Sequence, residues 1–137
     1  MKNIVTASIH FSFKGERHSP AITIELDKYL LSTGKIPNLY PLIAKENNFD
    51  MYSYEYEMMQ AEPIMFSDAQ GLIENHIVDG QLNSDAFEAA WHEHRALEKL
   101  LQIAEQHMGV NDFSQHPELK AALLEAYNSG KKDINKK

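Results

Sequence analysis

The chain has 137 residues, 43% of them hydrophobic and 24% charged, and it contains no cysteine. That size and composition suit one globular domain burying roughly 65–70% of its unfolded surface, and the missing cysteines exclude disulfides, thiolate catalysis, zinc–thiolate sites and iron–sulfur clusters. The net charge is −7, and because the tail 131–137 (four lysines, one aspartate) holds +3, residues 1–130 carry −10; a body so acidic repels phosphate backbones and anionic lipid, so neither nucleic acid nor membrane is an expected partner.

The first residues run directly into an alternating pattern without the apolar core of a signal peptide, and no stretch is long and apolar enough to span a bilayer. A cytoplasmic protein is expected. From Ile4 to Lys14, Val5, Ala7, Ile9, Phe11 and Phe13 take one face and Thr6, Ser8, His10 and Ser12 the other, which predicts a strand. Gly15 to Pro20 reads as a turn, and Ala21 to Asp27 alternates again through Ile22, Ile24 and Leu26. The two runs predict an antiparallel hairpin. Opposed residues share a face, so apolar odd positions must meet apolar even ones, and paired numbers must sum to an odd value. A sum of 35 sets Phe13 against Ile22 and His10 against Glu25; a sum of 33 is the next register.

Asp27 is a cap for a short helix over 28–33, stopped by Gly34. Asn38 caps a second over 38–47. The run Tyr52-Ser53-Tyr54-Glu55-Tyr56-Glu57 alternates rings with polar groups, which predicts a strand with buried tyrosines and exposed carboxylates. Ile64–Phe66 is a candidate short fourth strand beyond the break at Pro63. Ser67-Asp68-Ala69-Gln70 fits a capping box and predicts a helix over 68–79 ended by Gly80. Gly71 inside it costs about 1 kcal/mol relative to alanine, so a strand is the alternative.

Ser84 to Met108 is the longest periodic segment, with Phe87, Trp91, His94, Leu97, Leu101, Ala104 and Met108 on one stripe. Pro117 opens a last helix, closed near 128–130. Strands come first and helices cluster later. This predicts an α+β fold in two layers: a small antiparallel sheet, made of the hairpin and the Tyr52–Glu57 strand, covered on one face by four to five helices. One domain over 1–130 is expected, followed by a disordered basic tail over 131–137.

The uncovered sheet face is where function is sought. His10, Glu25 and Glu55 would share it, and a histidine beside a carboxylate is a proton-transfer unit. They are the catalytic candidates; Glu55, Glu57, Tyr54, His10 and Glu25 are the binding candidates. His92-Glu93-His94 is no metal motif, because residues two apart on a helix point away from each other. His94 with Glu98 has workable spacing, as has Glu88 with His92, but each reads better as a helix-surface pair. His94, on the apolar stripe, reads as a core histidine. No metal and no cofactor are expected. The sequence carries no nucleophile elbow and no phosphate loop. Association is therefore the expected activity, with a second copy in a homodimer, a protein partner or a small ligand. The alternative is an enzyme built on the His10 cluster, with or without a metal.

Overall fold

A computed structural model describes residues 2–135, with side chains through residue 132. The protein is α+β, and its order is β1 (Ile4–Ser8), β2 (Phe11–Phe13), β3 (Glu16–His18), β4 (Ala21–Glu25), α1 (Asp27–Thr33), α2 (Leu39–Glu46), α3 (Tyr54–Gln60), β5 (Met65–Gln70), a 3₁₀ turn (Leu72–His76), β6 (Ile77–Val78), β7 (Gln81–Leu82), α4 (Ser84–Met108), a second 3₁₀ turn (Phe113–Gln115) and α5 (Pro117–Asn135). The chain divides into two compact units, Met1–Ala89 and Ala90–Lys137, with the boundary inside α4.

The hairpin forms, but its register is neither 35 nor 33. Val5 opposes Ile24, Ala7 opposes Ile22 and Phe11 opposes His18, so paired numbers sum to 29 throughout. The parity argument holds, and Val5, Ala7, Ile9, Phe11, Ile24 and Leu26 are buried. The shift comes from the turn. Lys14 and Gly15 have φ of 52° and 80°, as a two-residue turn of type I′ requires. Its twist matches the strands, so the ladder continues through Glu16-Arg17-His18, whose polarity disguised a strand as a loop. Pro20 has no N–H for the ladder; its carbonyl instead accepts from Ile9 N at 3.0 Å, and the pairing resumes in β4. A Cβ on Gly15 would meet nothing within 4 Å. Gly15→Ala should therefore lose only the backbone term, about 1–2 kcal/mol, read as a lower urea midpoint with an unchanged slope.

The third strand of the main sheet is β5, giving the antiparallel order β4-β1-β5. Two expectations fall here. The predicted helix over 68–79 is instead β5, a 3₁₀ turn and the β6–β7 hairpin. Asp68 has φ of 51° where the β1–β5 pairing slips by one residue, a bulge that helical backbone does not contain. Asp79-Gly80, at φ of 53° and 77°, is a second type I′ turn. The predicted Tyr52–Glu57 strand is α3. Six residues are too few to separate a period of 2 from one of 3.6, and Ser53 decides for the helix: its hydroxyl accepts from Tyr56 N at 3.2 Å as an N-cap.

The other helix expectations hold with small changes. Asn38 caps α2 by accepting from Tyr40 N at 3.2 Å. Asn83, not Ser84, caps α4, accepting from Ala86 N at 3.2 Å. Leu26, with no side-chain bond, occupies the N-cap of α1, because the Asp27 carboxylate is drawn to Asn3. The last helix continues past 130 to Asn135, so the backbone is helical where the basic tail was expected to be disordered; residues 136 and 137 lie outside the described residues.

In the first unit α2 packs on β4 and β1, and α3 packs on β2 and α2. Leu39, Ile43, Ala44, Tyr56 and Met59 join the buried strand residues in its core. Asn3 is the one buried polar residue among those described, at 2% exposure. Its Nδ2 donates to Asp27 Oδ1 at 2.9 Å, its backbone N–H to Asp27 Oδ2 at 2.5 Å, and its Oδ1 accepts from Ile73 N at 3.0 Å. A single side chain thus ties the start of β1 to α1 and to the 3₁₀ turn. In the second unit Trp91, Ala96, Leu100, Ala104 and Val110 are buried.

Candidate binding surface

Asp50 sets up the surface. Its Oδ1 accepts from Tyr52 N at 2.9 Å and its carbonyl from the Ser53 hydroxyl at 2.5 Å, which closes a turn just before α3. Ser53 then caps the helix, and Glu55 and Glu57 in its first turn suit the helix dipole. With Tyr56 and Met59 turned into the core, the remaining large side chains have nowhere to go but outward. Tyr52 is 97% exposed and Tyr54 75%, with Met51 and Met58 about half exposed beside them. Tyr54 and Met58, four apart, share one side of the helix.

The footing is rigid. Phe49, just upstream, lies 5.8 Å from the Phe11 ring and 5.7 Å from His18, which itself stacks on Phe11 at 5.0 Å. The segment that carries these side chains is acidic. Residues 46–62 contain Glu46, Asp50, Glu55, Glu57 and Glu62 and no lysine or arginine.

The prediction that all three tyrosine rings are buried is thus overturned. Only Tyr56 is; Glu55 is half-buried and Glu57 exposed. The reason is the period: a helix turns Tyr54 and Tyr56 some 200° apart, where a strand would have kept them on one side. The expected cluster of His10, Glu25 and Glu55 does not assemble either. His10 Nδ1 is 2.9 Å from Ser19 Oγ, while Glu25 opposes Ile4, six residues further along the hairpin or roughly 20 Å away. Glu55 stands on α3. The structure therefore sets Tyr54 and Glu57, three apart, on one side of α3, turns Glu55 about 200° from Glu57, and leaves His10 and Glu25 apart from them and from each other.

His94 is half-exposed, not a core histidine, and its Nδ1 lies 3.3 Å from Glu98 Oε1, an i,i+4 pair on the helix surface. The two line a cleft of about 420 Å³ with Leu101, Phe113 and Lys120. At its margin Asp112 accepts from Ser114 N and from the Ser114 hydroxyl, and these bonds hold its carboxyl below the usual aspartate range. Among the described residues no three histidine, aspartate or glutamate side chains are grouped so as to hold a metal ion. Glu88, four residues before His92, accepts from Ile36 N at 3.2 Å. No helix among the described residues is long and apolar enough to cross a membrane.

Comparison with protein-family models, with curated proteins and with solved structures finds no match. The surface must speak through its own chemistry. At ~150–250 Å² per aromatic side chain, Tyr52 and Tyr54 alone expose roughly 300–400 Å² of mixed ring and hydroxyl surface. That is a large area for two side chains to leave exposed, and large exposed apolar area is often functional. Sequence reasoning had named Tyr54, Glu55 and Glu57 as binding residues but missed Met51 and Met58 as members of the face, and had buried Tyr52. The overlooked signal was Asp50-x-x-Ser53 before a run of good helix formers, with Pro63 shortly after it.

Proposed function

We propose that the protein acts by association, and that the α3 face binds a partner polypeptide carrying basic and apolar side chains. The observation that carries this is the exposure of Tyr54 on a packed, capped helix and of Tyr52 in the turn that leads into it. Tyrosine and methionine are enriched at interface cores; a tyrosine gives a large area for little lost side-chain freedom, and a methionine adapts to an irregular partner surface. A standard interface buries about 800 Å² on each partner, so this face is the centre of a contact and not all of it. The charge of residues 46–62 argues for the partner: five carboxylates and no base within that segment favour lysine or arginine, whose cations also sit well over tyrosine rings. A homodimer through this face is the competing form, and it must overcome repulsion between two acidic segments. We infer a cytoplasmic setting, which a chain without cysteine suits.

A fluorescent peptide alternating arginine and leucine, set against its glutamate counterpart, tests the reading. The basic peptide should bind, and bind more weakly as salt rises from about 50 to 300 mM. Tyr52→Ser/Tyr54→Ser should weaken it at least ~10-fold, since each hot-spot aromatic is worth on the order of 2 kcal/mol, while thermal stability stays within about 0.5 kcal/mol of wild type. Equal binding of the two peptides would sink the proposal. Light scattering supplies the other arm: a dimer that tightens with salt and vanishes in the double variant would replace the basic partner by a second copy.

A further inference from the structure

A separate cavity in the first unit, of about 330 Å³, lies among the segment leading into α2, β5, β7 and the first turns of α4. Apolar side chains, Ile36, Leu39, Phe66 and Leu82 among them, share its walls with Asn38, Tyr40, Ser84 and Glu88. Such walls with a few placed polar groups are the usual make-up of a small-molecule site, and this volume is at the lower end of the usual range. The polar groups are not equally available. Asn38 Oδ1 is engaged by Tyr40 N, and the Tyr40 hydroxyl donates to the Glu62 carbonyl at 2.7 Å. Ser84 opens α4 at the rim. Glu88 is the only charged side chain in the lining.

Glu88 is held as a binding group would be. Its Oε2 accepts from Ile36 N at 3.2 Å, which holds that oxygen toward the cavity wall and leaves Oε1 as the second acceptor. No lysine or arginine lines the cavity to neutralise it. A half-buried carboxylate is less screened by water than a fully exposed one and attracts a cation more strongly. The starts of α2 and α4 lie at the rim and favour an anion, but that influence fades within one turn, and Glu88 stands in the second turn of α4.

We propose that this cavity binds a small organic cation: a primary or secondary ammonium group on a compact apolar body. The head donates to Glu88 Oε1, and the body packs on Ile36, Leu39, Phe66 and Leu82. The site is independent of the α3 face and does not depend on the reading of it.

Amide NMR spectra of the full chain test this with three probes of similar shape: phenethylammonium, 2-phenylethanol and 3-phenylpropionate. The ammonium compound should shift the amides of Ile36, Leu82 and Ser84 and saturate below about 10 mM, a weak but measurable affinity. The alcohol should bind at least ~10-fold more weakly, and the carboxylate should leave these amides in place up to the same concentration. Glu88→Gln keeps an acceptor for Ile36 N–H while removing the charge. It should erase the preference for the ammonium compound, and unchanged hydrogen exchange at Ile36 would show the bond retained. Leu82→Trp, which fills the cavity and leaves Glu88 alone, should abolish binding by a different route. Equal responses to cation and anion, binding unaltered in Glu88→Gln, or no shift at these amides would overturn the proposal.

Discussion

Gly71→Ala should cost about 3 kcal/mol or more, from the strain of a glycine-only backbone region plus a hard contact. Gly71 has φ of 96° and ψ of −160°. A Cβ there would lie 2.4 Å from the Lys2 carbonyl oxygen and 2.8 Å from Asn3 Oδ1. The first of these is backbone, so no side chain can swing away to relieve it. Gly15 makes the comparison informative, because it too has a positive φ but open space beyond it. The excess of the Gly71 effect over the Gly15 effect measures the close approach itself. Against a total stability of 5–15 kcal/mol, the loss should lower the melting temperature by on the order of 10 °C. Urea unfolding followed by far-ultraviolet circular dichroism, with hydrogen exchange at Val5 and Ile24, reads it in the unit that contains the glycine. A Gly71→Ala variant no less stable than Gly15→Ala would show that β1 does not need this approach.

Asn3→Ala should be nearly as damaging, at about 2–4 kcal/mol, because it removes partners on both sides at once. The Ile73 N–H would lose its acceptor in a buried place, and Asp27 Oδ1 would lose a donor. Asn3→Asp separates the geometric part from the electrostatic part. An aspartate keeps the acceptor for Ile73 but puts an oxygen where Nδ2 now lies 2.9 Å from Asp27 Oδ1. Two carboxylates so close cannot both stay ionised cheaply, so one folded-state pKa rises above its unfolded value. A raised folded pKa means the folded state keeps a proton the unfolded state gives up. The variant should therefore be closest to wild type in acid, below the unfolded carboxylate range, and lose ground as pH rises through the folded pKa. Unfolding curves at several pH values check this. A deficit independent of pH would mean that Asn3 acts through shape alone.

These two residues show where sequence reasoning stops. Asn3 precedes the alternating run and matches no motif; its importance comes from partners 24 and 70 residues away. Gly71 was visible as an awkward residue in a helix, yet only the crossing of residues 2 and 3 behind it explains the glycine. The tyrosine run failed differently. Its local pattern fits two periods, and burial of Tyr56 and Met59 against β2 and α2 selects the helical one. The Asp79-Gly80 pair was a legible hairpin signal, hidden because Gly80 also suited a helix end.

Local chemistry was enough for the strands of the hairpin, the parity of their register, the caps at Asn38 and near Ser84, and the α+β class. These depend on residues one to four apart, where periodicity and capping act directly. Tertiary structure decided the rest: the register value, the third strand, the helical state of the tyrosine run and the exposure of Tyr52 and Tyr54. Each is a choice between two locally acceptable states that differ little in free energy, settled by contacts distant in the chain. The acidic, tyrosine-bearing character of residues 46–62 belongs to the sequence. That this character faces outward, on a helix, is the work of the fold.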